Sequence, residues 1–488
     1  MHVVNLPPDA TNLLESMRAV GYSFETAAAD IMDNCITAGA SFIDVSFSAY
    51  GNPFVTFLDN GAGMDADELR IAMRHGSRSA QLERASTDLG RFGLGLKTGS
   101  LSQCRRLTVA TLKKGKLSGA RWDLDKIEEV NEWALLEFEE IDFDEIPGIE
   151  SLRNLRHGTL VVWQQLDRVF EGESQKDRAL QNKIDDTRDH VALIYHRFLE
   201  GEVSPLEIRI NNLVVDPIDP FLRKRKGVQT LPPEPLTING HNVGVQAYIL
   251  PHISKLTAAD VKKAGGNEGL RKNQGFYVYR NFRLIIWGTW FRLARQEEMS
   301  KLARVIVDIP NSLDHLWKLD LKKSTAYPPE EVRQGLGRIV ERIADRSKKV
   351  YTFRGRKSTS PDSIHAWERV EYRDGRIGYK INREHDLVSS LRTVLPETNG
   401  RLLEQFLGSL EQLFPFDALY ADMAAERRIT DDENNEEMER NLTEMAQLML
   451  DALGRNSKEA KQLLSRLHIL DPFAKHKEIT TRIMEKLT

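Results

Sequence analysis

The sequence predicts an α+β chain in which short strands alternate with helices before a helical final part. Strand-like runs recur at Phe42–Phe47, Phe54–Leu58, Leu107–Leu112 and Gly158–Trp163. Helical patterns fall at Ser23–Ala40 and Asp67–His75. From Arg401 onward apolar residues recur at helical spacing, as in Leu402, Leu403, Phe406, Leu407 and Leu410. A length of 488 residues suggests about three domains. Apolar residues at 41% are enough for true cores, and charged residues at 29% suit a soluble protein. No apolar run is long enough to span a bilayer. The N-terminus, Met1-His2-Val3-Val4-Asn5-Leu6-Pro7-Pro8, lacks the charged-then-apolar layout of a secretion signal. Cys35 and Cys104 form neither a disulfide framework nor a zinc spacing, which points to a reducing cytoplasm. A net charge of -4 leaves no global basic footprint, so any nucleic-acid binding would depend on local patches.

Taken in order, Ser23 is the N-cap of the first helix, its alanines favour that helix, and Gly39 is placed to end it. Asp30 and Asn34 are four residues apart and share one face; Asp33 points elsewhere. Alone, such a face is equally a solvated edge. Two strands joined by Gly51-Asn52-Pro53 run into Asp59-Asn60-Gly61-Ala62-Gly63-Met64. Asp-Asn-Gly is an ordinary turn sequence, but the second glycine two positions on and the helix that follows set it apart. The stretch from Leu89 to Ser100, Leu-Gly-Arg-Phe-Gly-Leu-Gly-Leu-Lys-Thr-Gly-Ser, lets backbone N–H groups close on an anion, and a helix starting near Leu96 would add its positive end. It is not a Walker A loop, because Leu96 separates Gly95 from Lys97. It is not the dinucleotide fingerprint, because Thr98 stands where the third glycine is needed.

Together these three segments resemble the GHKL ATPase superfamily: a helix with acid-x-x-x-Asn, Asp-x-Gly-x-Gly after a strand, then Gly-x-x-Gly-x-Gly. Met73 to Ser79 and Phe92 to Ser100 resemble the MORC ATPases, the MutL branch and their bacterial relatives. The resemblance implies a two-layer α/β sandwich that binds ATP and Mg²⁺. Asp59 would accept the adenine amino group, with Gly61, Gly63 and Met64 beside the base. Asn34 would offer an oxygen to Mg²⁺. Ser77 and the run Gly90, Arg91, Phe92, Gly93, Leu94, Gly95, Leu96 and Lys97 would surround the phosphates, and Thr159 would assist adenine binding, unless it is a plain strand residue. Asp30 stands where the superfamily usually has a glutamate that activates water. Aspartate is one methylene shorter, and Thr37 replaces an aspartate common after the asparagine, so slow turnover is expected.

Residues 171–350 read as mixed strands and helices, and Gly275–Ile285 resembles the MORC and MutL transducer domain. In that family a lysine returns to the γ-phosphate. The candidates are adjacent Lys322 and Lys323, which face opposite ways in an extended segment; the polar residue that follows favours Lys323 as the catalytic one. Basic clusters at 223–226 and 346–357 are candidate DNA contacts, or solvated surface. Residues 351–488 read as a linker, an Asp-Gly hairpin and a helical module of unassigned role. Arg383-Glu384-His385-Asp386-Leu387 resembles a phosphoacceptor box, but such boxes precede the ATPase domain. The domain expectation is therefore 1–170, 171–350 and 351–488. The resemblance further implies an ATP-dependent homodimer through Met1–Met17, acting as a clamp in DNA transactions or bacterial defence beside other DNA-processing proteins. A nucleotide-gated chaperone or scaffold is the alternative.

Overall fold

Local chemistry starts and stops the first elements. The Asp9 carboxylate accepts from the Asn12 N–H and opens α1 (Ala10–Arg18). Buried Arg18 then anchors the far end, donating to both oxygens of Asp167 at 2.6 and 2.7 Å and to the Leu101 carbonyl at 2.8 Å. Helix α2 (Phe24–Thr37) follows Ser23, and its buried Ala27, Ala28 and Ala29 let other backbone come close. Strands β1 (Phe42–Ser48) and β2 (Phe54–Asp59) pair antiparallel. A full capping box of Asp65 and Glu68 opens α3 (Ala66–Met73). The structure is a computed structural model and describes residues 8–19, 21–76, 89, 95–234, 236–238, 240–313, 318–319, 326–352, 364–371, 377–416, 418–419, 435–455 and 457–487.

Beyond these come β3 (Arg106–Lys113), β4 (Lys116–Asp123), α4 (Leu124–Val130), β5 (Leu136–Glu137), α5 (Ile149–Arg153) and β6 (Gly158–Gln164). Helices α6 (Lys176–Ile194) and α7 (His196–Leu199) lead to β7 (Glu207–Ile210) and β8 (Leu213–Val214). One sheet takes all eight strands in the order β5-β4-β3-β6-β2-β1-β7-β8. Neighbours are antiparallel except β1 and β7, where Phe42 faces Glu207 and Val45 faces Ile210 in parallel. A parallel partner needs a long crossover, which the segment carrying α6 supplies, so the sheet continues past residue 170.

Helices α2 and α6 cover one face of this sheet. There Trp163 of β6 is fully buried, edge-on to Phe24 at 5.5 Å and to Phe57 at 4.8 Å between ring centroids. The opposite face carries a smaller cluster, with Leu58, Leu112 and Leu160 against Phe143, Ile149 and Leu152. A second sheet holds β9 (Gln229–Thr230), β10 (Leu236–Ile238), β11 (His241–Ile249), β12 (Gly275–Arg280), β13 (Arg283–Thr289) and β14 (Ala303–Ile309). Its order is β10-β11-β14-β12-β13, with β9 on β11. Tyr277, Tyr279, Leu284 and Ile306 of this sheet join the same core as α2 and α6. Helices α8 (Ala258–Gly265) and α9 (Gly269–Lys272) lie between β11 and β12 in the chain; the short pair β15 (Lys318–Leu319) and β16 (Ala326–Tyr327) and helix α10 (Glu330–Thr352) follow β14.

The chain divides into two units, Met1–Pro251 with Leu256–Lys348, and His252–Lys255 with Lys349–Thr488. In the second, β17 (Trp367–Glu371) and β18 (Ile377–Ile381) form the expected hairpin, whose Asp-Gly turn lies outside the described residues. Helices α11 (Asp386–Val394), α12 (Glu397–Gln412), α13 (Asn435–Leu453), α14 (Lys458–Arg466) and α15 (Lys477–Leu487) complete it, around Leu442, Met449, Leu463, Leu470, Phe473 and Ile483. Arg383 pairs with Glu404 and Glu411 of α12, and Arg392 pairs with Glu404, so that helix is held by its charged face. His385 is buried and accepts from the Leu387 N–H as the N-cap of α11, a structural use of the phosphoacceptor-like stretch.

Trp163→Ala removes the ring that Phe24 and Phe57 pack against. It is expected to lower unfolding stability of the first unit by about 3–5 kcal/mol, read as a lower denaturant midpoint.

Candidate active site

Strand register assembles the first wall of the site. Asp59 at the end of β2 faces Thr159 of β6, and Thr159 faces Thr111 of β3, so three polar residues lie in one row across the sheet. Past Asp59 the chain folds back on it, and the Gly61 N–H donates to Asp59 Oδ1 at 2.7 Å. The Met64 N–H donates to Thr111 Oγ1 at 2.8 Å, and the hydroxyls of Thr111 and Thr159 are 3.4 Å apart. Gly63, at φ +66, allows no side chain: a Cβ there would lie 2.2 Å from the Leu112 carbonyl oxygen. Asp59 is buried, and burial pushes its carboxyl above the usual carboxylate range, opposed by the Gly61 N–H, the Cys35 thiol and the Thr159 N–H. Cys35 is pushed well up in turn, by its own burial and then by the Asp59 charge.

Helix α2 supplies the second wall. Asp30 and Asn34 share its face as their spacing predicts, and the Asn34 Nδ2 donates to the Asp30 carbonyl at 2.9 Å. That bond uses the nitrogen of an exposed amide, whose oxygen is an acceptor by chemistry. The glycine stretch returns against the same helix. Gly95–Gly99 form one π-turn, with the Gly99 backbone over Ala27 and Gly95 over Asp30. A Cβ on Gly95 would lie 2.9 Å from Asp30 Oδ2. Asp30, Asn34, Asp59, Gly61, Gly63, Met64, Gly95, Leu96 and Thr159 thus come from four segments of one unit, linked by Cys35–Asp59 and Gly95–Asp30 contacts.

Lys97 departs from the expected phosphate role. Its ammonium is buried and donates to the Ala72 carbonyl at 2.8 Å, at the end of α3, instead of standing open to an anion. Burial lowers its pKa to about 8. The neighbouring His75 is lowered to about 4, first by burial and then by the Lys97 charge. Ser77, Gly90, Arg91, Phe92, Gly93, Leu94 and both Lys322 and Lys323 lie outside the described residues.

The cluster at 223–226 is likewise engaged. Arg223 pairs with Glu200, Glu202 and Asp219, Lys224 with Glu200, and Arg225 with Asp260. Three of its four basic residues are thus paired with carboxylates, which the local run of basic residues could not reveal. Of 346–357, residues 353–357 lie outside the described set. Sequence reasoning also missed Cys35 and Thr111 beside Asp59, and the His157 Nδ1 at 2.6 Å from the Gly61 carbonyl oxygen. Their only signal was proximity to the recognised segments. Among the described residues no helix is long and apolar enough to cross a membrane.

Residues 22–159 match the family described as histidine kinase-, DNA gyrase B-, and HSP90-like ATPase. This part of the chain is a GHKL ATPase domain, and its likeness runs to the MORC and MutL proteins. ATPase MORC2B of Mus musculus is 34% identical over 96 residues, covering 19% of this chain and 9% of the relative. DNA mismatch repair protein MutL of Allorhizobium ampelinum is 32% identical over 94 residues, covering 19% of this chain and 15% of the relative. The matched stretch is therefore a small part of those proteins. A solved N-terminal domain of a DNA repair protein is a distant likeness, at 14% identity and a TM-score of 0.42 over 70% of this chain and 98% of its own.

Two substitutions test this geometry. Gly95→Ala, by pressing on Asp30, is expected to cost about 1–3 kcal/mol of stability. Lys97 carries a buried charge below pH 8, and because its folded pKa is lower than the usual 10.5, that penalty fades as pH rises from about 8 to 10.5. Lys97→Met should therefore be more stable than the native chain near pH 7, with the difference shrinking above pH 8 in parallel melts.

Proposed function

We propose that this chain binds Mg²⁺-ATP in the site described, hydrolyses it slowly, and uses the nucleotide to drive homodimerisation as a molecular clamp. The observation that carries the reading is Gly95 seated on the Asp30 carboxylate, within one helical turn of the exposed Asn34 amide. The Asp59 carboxylate takes the adenine amino group, with Thr159 beside it. Gly63 leaves the base room. Among the described residues no group of three or more His, Cys, Asp or Glu side chains could hold a metal alone. Asn34 Oδ1 would be the protein ligand for Mg²⁺, as the family resemblance implies. The ion would neutralise charge on the phosphates. As the family resemblance implies, the run from Gly90 to Lys97 would offer backbone N–H groups to the phosphates, and Lys323 of the transducer segment, residues 171–350, would reach the γ-phosphate.

Asp30 orients and deprotonates the attacking water. Its short side chain makes that step slow. Dimerisation runs through Met1–Met17, and a ligand can favour the dimer only by binding it more tightly than the monomer. DNA is the leading cargo, supported by the relatives named for DNA mismatch repair. The carboxylate pairs of Arg223, Lys224 and Arg225 favour the second reading, a nucleotide-gated scaffold or chaperone without DNA.

Asp30→Ala is expected to lower kcat by about 10²- to 10⁴-fold while sparing ATP binding. Asp59→Asn should instead weaken binding itself, by about tenfold or more. Normal hydrolysis by Asp30→Ala would remove Asp30 from its role. Size measurement with ATP, ADP and a non-hydrolysable analogue, with and without DNA, tests the clamp, and a monomer under every condition excludes it. DNA affinity that falls steeply with salt supports the DNA reading; its absence leaves the scaffold.

A further inference from the structure

One hairpin of the second sheet reaches two parts of the nucleotide site at once. Strand β12 ends at Arg280, Asn281 and Phe282 turn at φ +47 and +67, and β13 begins at Arg283. The two arginines diverge. Arg283 Nε donates to Asp33 Oδ1 at 2.7 Å, on the helix that carries Asp30 and Asn34. Arg280 Nη1 donates to the Leu89 carbonyl at 3.0 Å, at the entrance to the glycine stretch. Leu89 is held from its other side as well, its N–H donating to Thr37 Oγ1 at 3.2 Å, at the end of α2. The Tyr195 hydroxyl, just past α6, completes the first contact, 2.7 Å from the same Asp33 oxygen and 2.8 Å from the Ala29 carbonyl oxygen.

These groups are all buried: Asp33 at 1% exposure, Tyr195 at 0%, Arg280 at 4% and Arg283 at 5%. A carboxylate that deep is tolerable only beside its partners, and losing one would leave an uncompensated charge. The contact is therefore held strictly. Asp33 lies three residues from Asp30, about 60° round the helix, so fixing one fixes the rotation at which the other faces the π-turn.

We propose that Asp33, Arg283 and Tyr195 are positioning residues for ATP turnover: they set the rotation of α2 so that Asp30 meets the attacking water, while Arg280 sets the start of the glycine stretch from the same hairpin. This rests on the hydrolytic reading above. None of the four is placed at the nucleotide; Asp33, Arg283 and Tyr195 act through the rotation of Asp30, and Arg280 through Leu89. Displacement of Asp30 by about 1 Å is enough to lose much of the rate.

The test uses the full chain and two readouts, kcat for ATP hydrolysis and Kd for a non-hydrolysable ATP analogue. In the double variant Asp33→Asn with Arg283→Gln, which removes both buried charges together, kcat should fall about 10- to 100-fold while Kd shifts by less than about threefold. Arg283→Lys, which keeps the charge, should recover part of the lost kcat. Tyr195→Phe removes a single hydroxyl and should fold whatever the double variant does; it is expected to lower kcat about fivefold at unchanged Kd. Native kcat in Tyr195→Phe and in the folded double variant overturns the proposal. So does a loss of kcat matched by an equal loss of binding. A native chain that neither binds nor hydrolyses ATP overturns the hydrolytic reading along with it, whereas an active native chain with indifferent variants overturns the positioning role alone.

Discussion

Helix α2 has to be buried and polar at the same time, and the first unit is arranged around that demand. Nine of its fourteen residues are buried, Asp30 and Asp33 among them. A carboxylate inside a protein is costly unless charge or hydrogen bonds meet it. Asp33 is met by Arg283 and Tyr195, brought from separate segments. Asp30 lies against the Gly95 backbone, where a side chain would collide with it. The alanines on the same helix let that glycine turn approach, and Trp163 fills the space between the helix and the sheet. Apolar packing positions the helix, and the polar contacts fix its rotation.

Two polar centres thus sit on one scaffold with opposite tolerances. Around Asp59 the partners are backbone N–H groups and a thiol, and burial still leaves the carboxyl pushed upward. Around Asp33 the partner is a full guanidinium charge. The first suits exchange of a bound molecule; the second suits permanence. Arg18 does at α1 what Arg283 does at α2, its buried Nη2 donating to both Asp167 oxygens.

Much of the geometry of the candidate site was legible because its signals are local. Ser23 and Gly39 frame α2, the spacing of Asp30 and Asn34 puts them on one face, and the Asp59 turn follows directly from the strand Phe54–Leu58, paired to the alternating Phe42–Phe47. What escaped the sequence is what depends on distant partners. Asp33 could be seen to point away from Asn34, but the arginine that receives it lies 250 residues on. The run 223–226 looked like a basic patch because its neutralising carboxylates stand at 200, 202, 219 and 260. Lys97 looked like a phosphate ligand because its destination, the Ala72 carbonyl, is set by how α3 packs. The parallel strand β7 gave no sign of its partner, since pairing across a long crossover leaves no short-range pattern.

That strand has a practical side. Because Glu207–Ile210 lies along Phe42–Val45 and completes the hydrogen bonding of β1, the GHKL domain is not a piece that can be cut out at the end of its recognisable motifs. A shortened fragment stopping near residue 170 would keep the nucleotide-facing segments yet leave one long flank of the sheet bare, an invitation to stick to its own copies. Any expression trial of the isolated ATPase would do better to run through Val214.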